Sequence, residues 1–209
     1  MLDAVLNAFA TLFVVIDPIG LLPLFLVLTA GYDATLRRRI ALRGTAIAAI
    51  ILFAFALFGG ELLALLGITL PAFRVAGGLM LLWIAFEMVF ERRTDRRTRS
   101  AEEIARREPA DDISVFPIAI PLLSGPGAIT SVMLLMGRHE DELLYQAAVL
   151  LVLAIVLALC VLIFLLAGPI ERLLGRTTTN VVSRLLGILL AALAVQYVLD
   201  GLAVGFSPA

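Results

Sequence analysis

The sequence predicts an all-α protein that crosses a membrane six times. Hydrophobic residues make up 62% of the 209 residues, charged residues only 16%, and the mean hydropathy is +1.07, whereas soluble domains are about 45–50% apolar. The charges are also clustered. They leave apolar runs of about 20 residues, the length that crosses a hydrocarbon layer roughly 30 Å thick. This composition is typical of a polytopic membrane protein and excludes a soluble globular fold.

The six apolar runs are expected to form a single transmembrane domain. Most are joined by short turns, but the connections 29–41 and 91–113 are polar. The longer one mixes seven arginines with seven carboxylates, which predicts a solvated linker; binding of its arginine-rich first half to anionic lipid headgroups is the alternative. The predicted spans are 4–28, 42–66, 71–90, 114–136, 143–168 and 181–203.

The arginines predict the orientation of the chain in the membrane. All 16 basic residues are arginines, and thirteen of them fall in the connections between spans one and two, three and four, and five and six. These three connections share one side of the membrane. Because basic residues are retained in the cytoplasm, both termini are predicted to lie outside.

A proline interrupts the middle of the first span, in the motif Asp17-Pro18-Ile19-Gly20. Pro18 lacks a backbone N–H and disfavours helical geometry at Asp17, so we expect one helix to end near Ile16 and another to begin at Pro18. Asp17 then caps the second helix by accepting the N–H of Ile19 or Gly20. A Ser or Asn would cap this helix without bringing a charge into the membrane. A charged aspartate there costs about 3 kcal/mol. We therefore favour a functional role for Asp17 over a purely capping one.

A related motif, Ser124-Gly125-Pro126-Gly127, interrupts the fourth span, and its proline lies 108 positions after Pro18. Gly125 replaces the aspartate, so the helix that follows begins without a side-chain cap. Free N–H groups at a positive helix end, beside glycines that allow close approach, are typical of an anion site. The first break is thus suited to a cation or an ammonium group, and the second to a carboxylate.

Landmarks at a nearly constant spacing predict an inverted repeat of three spans plus three, with repeat 1 at about 1–90, the linker at about 91–113 and repeat 2 at about 114–209. Since three is odd, the two halves enter the membrane from opposite sides, and the two breaks face each other near the midplane. Pro18 pairs with Pro126, and Leu65-Leu66-Gly67 pairs with Leu173-Leu174-Gly175, both at an offset of 108 residues. Arg74-Val75-Ala76-Gly77 pairs with Arg184-Leu185-Leu186-Gly187 at an offset of 110 residues.

We hypothesise that the two breaks bind a small zwitterion such as a neutral amino acid. Asp17 is also the candidate site for a coupled Na⁺ or proton, and no other cofactor is expected, because one histidine and one cysteine argue against zinc or haem. Asn7 and Thr11 share a helix face and either line the approach from outside or bond to neighbouring helices. The predicted substrate site consists of Asp17, Pro18, Gly20, Ser124, Gly125, Gly127, Ala128 and Thr130.

Two segments resemble the MarC family of bacterial and archaeal integral membrane proteins, and the likeness extends over essentially the whole chain. The resemblance implies a transporter in the cytoplasmic membrane, related to LysE-type amino-acid exporters; some family members are described as transporters of small neutral amino acids. It supplies no catalytic residues. The segments are Asp17-Pro18-Ile19-Gly20-Leu21-Leu22-Pro23-Leu24-Phe25 and Pro121-Leu122-Leu123-Ser124-Gly125-Pro126-Gly127-Ala128-Ile129.

Three functions compete. The leading one is a secondary transporter of small neutral amino acids or similar metabolites. Its expected partners are the bilayer and a small solute, and no nucleic acid is expected. A homo-oligomer is left open. The second is a lipid-handling protein, such as a flippase for a phosphorylated lipid carrier. A laterally open groove favours the lipid, and a closed midplane cavity favours the solute. An enzyme is the weakest, because a lone Asp17 has no second carboxylate and no nucleophile and base pair is visible.

Overall fold

The computed structural model describes residues 2–90, 113–138 and 142–205, with only the backbone for 171–177 and 205. The predicted linker at 91–113 lies almost wholly outside these residues. Within them every element is helical, which confirms the all-α prediction. The elements are α1 (Leu2–Ile16), α2 (Pro18–Leu28), α3 (Ala34–Leu65), α4 (Leu70–Val89), α5 (Ser114–Leu123), α6 (Pro126–Met136), α7 (Leu143–Leu165) and α8 (Ala167–Gly205).

The first span consists of α1 and α2, which meet at Asp17 and together form one apolar stretch of 27 residues. The predicted break is confirmed, whereas Pro23 lies within α2 and does not end it. This span is the centre of the bundle: 67% of its most apolar window is buried, against 28–39% in the four other helices long enough to cross.

Helices α3 and α4 begin at side-chain caps. Asp33 accepts the N–H of Leu36 at 2.7 Å, so α3 starts eight residues before the predicted span and absorbs part of the polar connection. Gly67, at φ 69°, makes the tight turn that follows. Thr69 then caps α4 by accepting the N–H of Ala72 at 3.4 Å.

The fourth span is less regular than predicted. Helix α5 contains Pro117 and Pro121, and the residues before them, Phe116 and Ile120, are extended at φ near −125°. A proline removes an N–H and pushes the preceding residue out of helical geometry. The backbone of α5 therefore forms turns wider than those of a regular α-helix. It bends by 52° into α6 at the predicted break.

The connection between spans five and six is helical, whereas the sequence predicted a short turn. Helix α7 ends at Leu165, a single turn residue follows, and α8 runs from Ala167 to Gly205. Pro169 falls in the first turn of α8, where its missing N–H has no partner to lose. Only Thr178–Val204 of this helix qualifies as a membrane span. Five helices therefore have the length and composition to cross, and the bent pair α5 and α6 makes a sixth if it is one span.

Contacts between helices give their relative directions. Asn7 and Val15 of the first span contact Arg138 and Gly127 respectively, so α1 and α6 run antiparallel. Helix α3 runs parallel to the fourth span, because Gly44 packs against Ile118 and Gly59 against Met133. Span one thus runs opposite to spans two and four, as it must when each membrane crossing reverses the direction of the chain.

Helices α4 and α8 form an antiparallel pair that is packed at glycines. Gly78 abuts Ala194 and Val198, and Gly187 abuts Met88. A Cβ at Gly78 would lie 2.8 Å from the Ala194 carbonyl oxygen and 2.7 Å from a Val198 methyl group. Small residues let helix backbones approach closely in a bilayer, where lipid provides no hydrophobic force between helices.

We expect Gly78→Ala to lower the unfolding free energy by roughly 1–3 kcal/mol, because the Cβ meets backbone atoms that cannot yield without moving α8. At about 2–4 °C per kcal/mol, thermal melting in detergent measures this loss. Gly60→Ala in α3 is the control, since its Cβ meets nothing within 4 Å. Equal melting of the two variants would contradict a close α4–α8 interface.

Candidate functional site

Asp17 is buried at the junction of α1 and α2, with 5% of its surface exposed. Its backbone is left-handed, at φ 53° and ψ 63°, and it is the single non-glycine residue with positive φ in the described ranges. Oδ1 accepts the N–H of Gly20 at 3.0 Å, and Oδ2 lies 3.5 Å from the Ser183 hydroxyl of α8, which donates to it. The carboxylate therefore caps α2 and links it to the last helix.

The local sequence holds this carboxylate in place. The Asp17 N–H donates to Phe13 at 2.9 Å and its carbonyl accepts from Leu21 at 3.0 Å, so backbone bonding continues through the break. A Cβ at Gly20 would overlap the Asp17 carboxylate oxygens, so glycine at this position lets the carboxylate keep its place over the first turn of α2. Asp17, Pro18 and Gly20 thus form one structural unit, as the sequence predicted for the cap.

The second break has no such side chain. Gly125 is the N-cap of α6, in an extended conformation, and within the described residues no side chain caps the helix. The Ser124 hydroxyl turns away and donates to the Ala119 carbonyl at 2.8 Å. A Cβ on Gly125 would lie 2.5 Å from the Pro121 carbonyl oxygen, so only glycine fits this turn.

A cavity of about 280 Å³ lies against the second break. Trp83 and Met80 of α4 form part of its wall and are 64% and 42% exposed. These residues belong to the lipid-facing side of α4, so the cavity opens laterally. Its lining comes from the end of α1, from α4, from α5 and from the start of α6: Val15, Met80, Trp83, Ile84, Glu87, Pro121, Leu122, Gly125, Pro126, Gly127 and Ala128.

The predicted site residues are divided between the two breaks. Gly125, Gly127 and Ala128 line the cavity, while the other five described site residues do not. Those five are Asp17, Pro18 and Gly20 in the first break, Ser124, and Thr130, whose methyl group packs against Gly77. The breaks are nevertheless adjacent, because Gly127 contacts Val15, two residues before Asp17.

Two polar residues near the breaks were not predicted as site residues. Ser183 reaches Asp17 from α8, 166 positions away, and no local spacing reveals that contact. Glu87 lines the cavity beside the second break. A carboxylate inside a span was the available signal for Glu87, since such groups are rare and mark functional sites in membranes.

A cation at Asp17 stays a prediction. In the described part of the chain no three His, Cys, Asp or Glu side chains come together. Na⁺ coordination at Asp17 would therefore use backbone and hydroxyl oxygens, the ligands that hard cations accept.

These features define a class of protein: a polytopic α-helical membrane protein with two interrupted spans whose breaks meet inside the bundle. Comparison with known sequences identifies the family. The model of the MarC family integral membrane proteins matches residues 2–206, so the chain belongs to that family.

Several relatives share nearly the full length of the chain. A UPF0056 membrane protein of Archaeoglobus fulgidus is 38% identical over 94% of this chain and 91% of its own. The UPF0056 membrane protein YvbG of Bacillus subtilis is 37% identical over 97% and 95%, and YhcE of Escherichia coli is 32% identical over 93% and 89%. No solved structure matches the chain.

The left-handed conformation of Asp17 predicts a specific order of stability among its variants. Asp17→Asn keeps a side chain that caps helices and tolerates positive φ, whereas Asp17→Ala loses the cap, about 1 kcal/mol, and strains the backbone by about 1–2 kcal/mol. We expect the alanine variant to unfold roughly 2 kcal/mol more easily than the asparagine variant. Thermal melting of the purified proteins tests this order, and identical melting would show that the cap contributes no stability.

Proposed function

We propose that this protein is a secondary transporter of small neutral amino acids or similar metabolites that works by alternating access in the cytoplasmic membrane, driven by Na⁺ or H⁺. The observation that carries the proposal is the meeting of two unlike helix breaks. The first presents a buried carboxylate at Asp17, and the second presents backbone N–H groups without a side-chain cap beside a cavity. A substrate with an ammonium end and a carboxylate end complements this pair.

The directions of the helices agree with the inverted repeat that such a mechanism uses. Equivalent spans of two inverted halves run in opposite directions. Helices α1 and α6, which belong to the first span of each proposed half, are antiparallel, and so are α4 and α8, which belong to the third. In transporters built this way, one repeat rocks against the other around a fixed site.

The proposed orientation places both termini outside. It rests on the arginines, which concentrate in the connections that would face the cytoplasm. The proposed partners are the small solute and the bilayer, and no chemical reaction is assigned to the protein. Reaction chemistry would need a second group beside Asp17, whose described hydrogen-bond partners include a backbone N–H and a serine hydroxyl.

A flux screen in proteoliposomes tests the solute proposal. We expect uptake or exchange of at least one neutral amino acid that responds to a Na⁺ or pH gradient. Asp17→Asn should slow it about tenfold or more, the effect of losing one charge-assisted bond to the ammonium end. Gly125→Asp should slow it by a similar factor, because the new carboxylate repels the carboxylate end of the substrate.

Two matched variants control this screen. Asp33→Asn makes the same chemical change at the exposed cap of α3 and should leave the flux intact. Gly125→Ala introduces the steric overlap with Pro121 without a charge, so it separates crowding from repulsion. Flux near that of the unmodified protein in both Asp17→Asn and Gly125→Asp would overturn the proposal.

The lateral opening of the cavity favours a second candidate, a lipid-handling protein for a phosphorylated carrier. A phosphate at the α6 N-terminus would sit among the same backbone N–H groups, while its lipid tail leaves past Trp83 and Met80.

The same variants distinguish the lipid candidate from the solute candidate. In liposomes that contain a fluorescent phospholipid, a lipid-handling protein should move the label between leaflets. Gly125→Asp should stop this by repelling the phosphate, whereas Asp17→Asn should have little effect because Asp17 does not line the cavity. Equal loss in both variants would contradict the lipid candidate.

A further inference from the structure

Arg138 joins two helices at one end of the bundle. Its guanidinium lies 5.3 Å from the centre of the Tyr197 ring of α8 and donates to the Asn7 side-chain oxygen of α1 at 3.3 Å. An arginine stacked on an aromatic face is attracted by the negative face of the ring, and a hydrogen bond from a charged donor is stronger than a neutral one. Arg138 itself follows α6, so it links the first, fourth and sixth spans.

The residues beneath this link are polar and closed off from solvent. Thr11, one turn below Asn7 on α1, is 2% exposed, and Tyr197 is 1% exposed. Thr11 lies close to the Tyr197 hydroxyl. That hydroxyl is buried. Thr11 and Tyr197 thus place two polar groups close together where α1 packs against α8.

Below Thr11 and Tyr197, the contact between α1 and α8, here called the seam, continues to the first break. Thr11 is six residues before Asp17, about 9 Å along the helix axis. On α8, Tyr197 and Ser183 are fourteen residues apart, which places them on the same helix face, and Ser183 contacts Asp17. Helices α1 and α8 pack against each other. The two ends of this seam are therefore Arg138 and the Asp17 carboxylate.

We propose that Arg138 is the gate at the predicted outer end of the transport route, closed when its guanidinium bridges Asn7 and the Tyr197 ring. The gate rests on the proposed function. When the bridge opens, water and substrate reach Thr11 and the Tyr197 hydroxyl and then Asp17. The guanidinium also presents a positive charge to the carboxylate end of an arriving zwitterion, so opening and recognition use the same residue.

Thiol accessibility tests the gate without knowledge of the substrate. In a Cys160→Ala background, Thr11→Cys reports entry of a membrane-impermeant thiol reagent added outside intact cells. We expect slow labelling with Arg138 in place. Labelling should rise about five- to tenfold with Arg138→Ala, and less with Arg138→Lys, which keeps the charge and loses the planar stacking on Tyr197.

Arg74→Ala is the matched control, because Arg74 lies at the same end of the bundle but donates to the Gly137 carbonyl and not to α1. It should raise labelling much less than Arg138→Ala, because it supports only the Gly137 carbonyl beside the bridge. Asn7→Leu removes the other partner of the bridge at an exposed position and should raise labelling even if Arg138→Ala folds poorly. Unchanged labelling in Asn7→Leu and the folded Arg138 variants, or an equal rise with Arg74→Ala, would overturn the gate.

The labelling result is independent of the flux screen. A rise in labelling without flux of any amino acid would retain the gate and reject the proposed substrate class. Flux with unchanged labelling would retain the transporter and reject Arg138 as its gate.

Discussion

A helix that breaks inside a membrane leaves backbone groups with no water to bind, and the architecture of this protein depends on how two such breaks are satisfied. At the first break, the Asp17 carboxylate accepts the N–H of Gly20, and Ser183 donates to its other oxygen. A carboxyl group is tolerated here because both of its oxygens are hydrogen-bonded and the positive end of α2 faces it. The most buried span can therefore hold an ionisable group at its centre.

The second break has a different arrangement of polar groups. Gly125 contributes no side chain, and Ser124 turns its hydroxyl back to the Ala119 carbonyl. The first N–H groups of α6 are left at the wall of a cavity that opens between α4 and α5. Because Gly127 contacts Val15, the capped and uncapped breaks lie side by side. One fold thus places a buried carboxyl group close to a helix N-terminus that has no side-chain cap, and the proposed ligand with unlike ends rests on this pair.

The sequence was sufficient for features that depend on local chemistry and insufficient for those that depend on tertiary contacts. Pro18 and Asp17 predicted both the break and its cap, since those rules act within four residues. The short turn expected before the sixth span is instead part of a helix, because the arginines and threonines there are compatible with helical geometry and do not end it. The role of Ser183 could not be read from the sequence either, because its partner lies 166 positions away.

Under the proposed repeat, duplication preserves the backbone while side chains at equivalent positions diverge. At the 108-residue offset, Asp17 corresponds to Gly125 and Arg138 to Ala30, and at the 110-residue offset Tyr197 corresponds to Glu87. Glu87 lies beside the second break, while Tyr197 lies against Thr11, near the first. In the proposed transporter, the arginine bridge would close one end of the route, and the equivalent alanine could not form such a bridge at the other. The two ends would then open by different contacts, so that a coupled ion could control one of them without controlling the other.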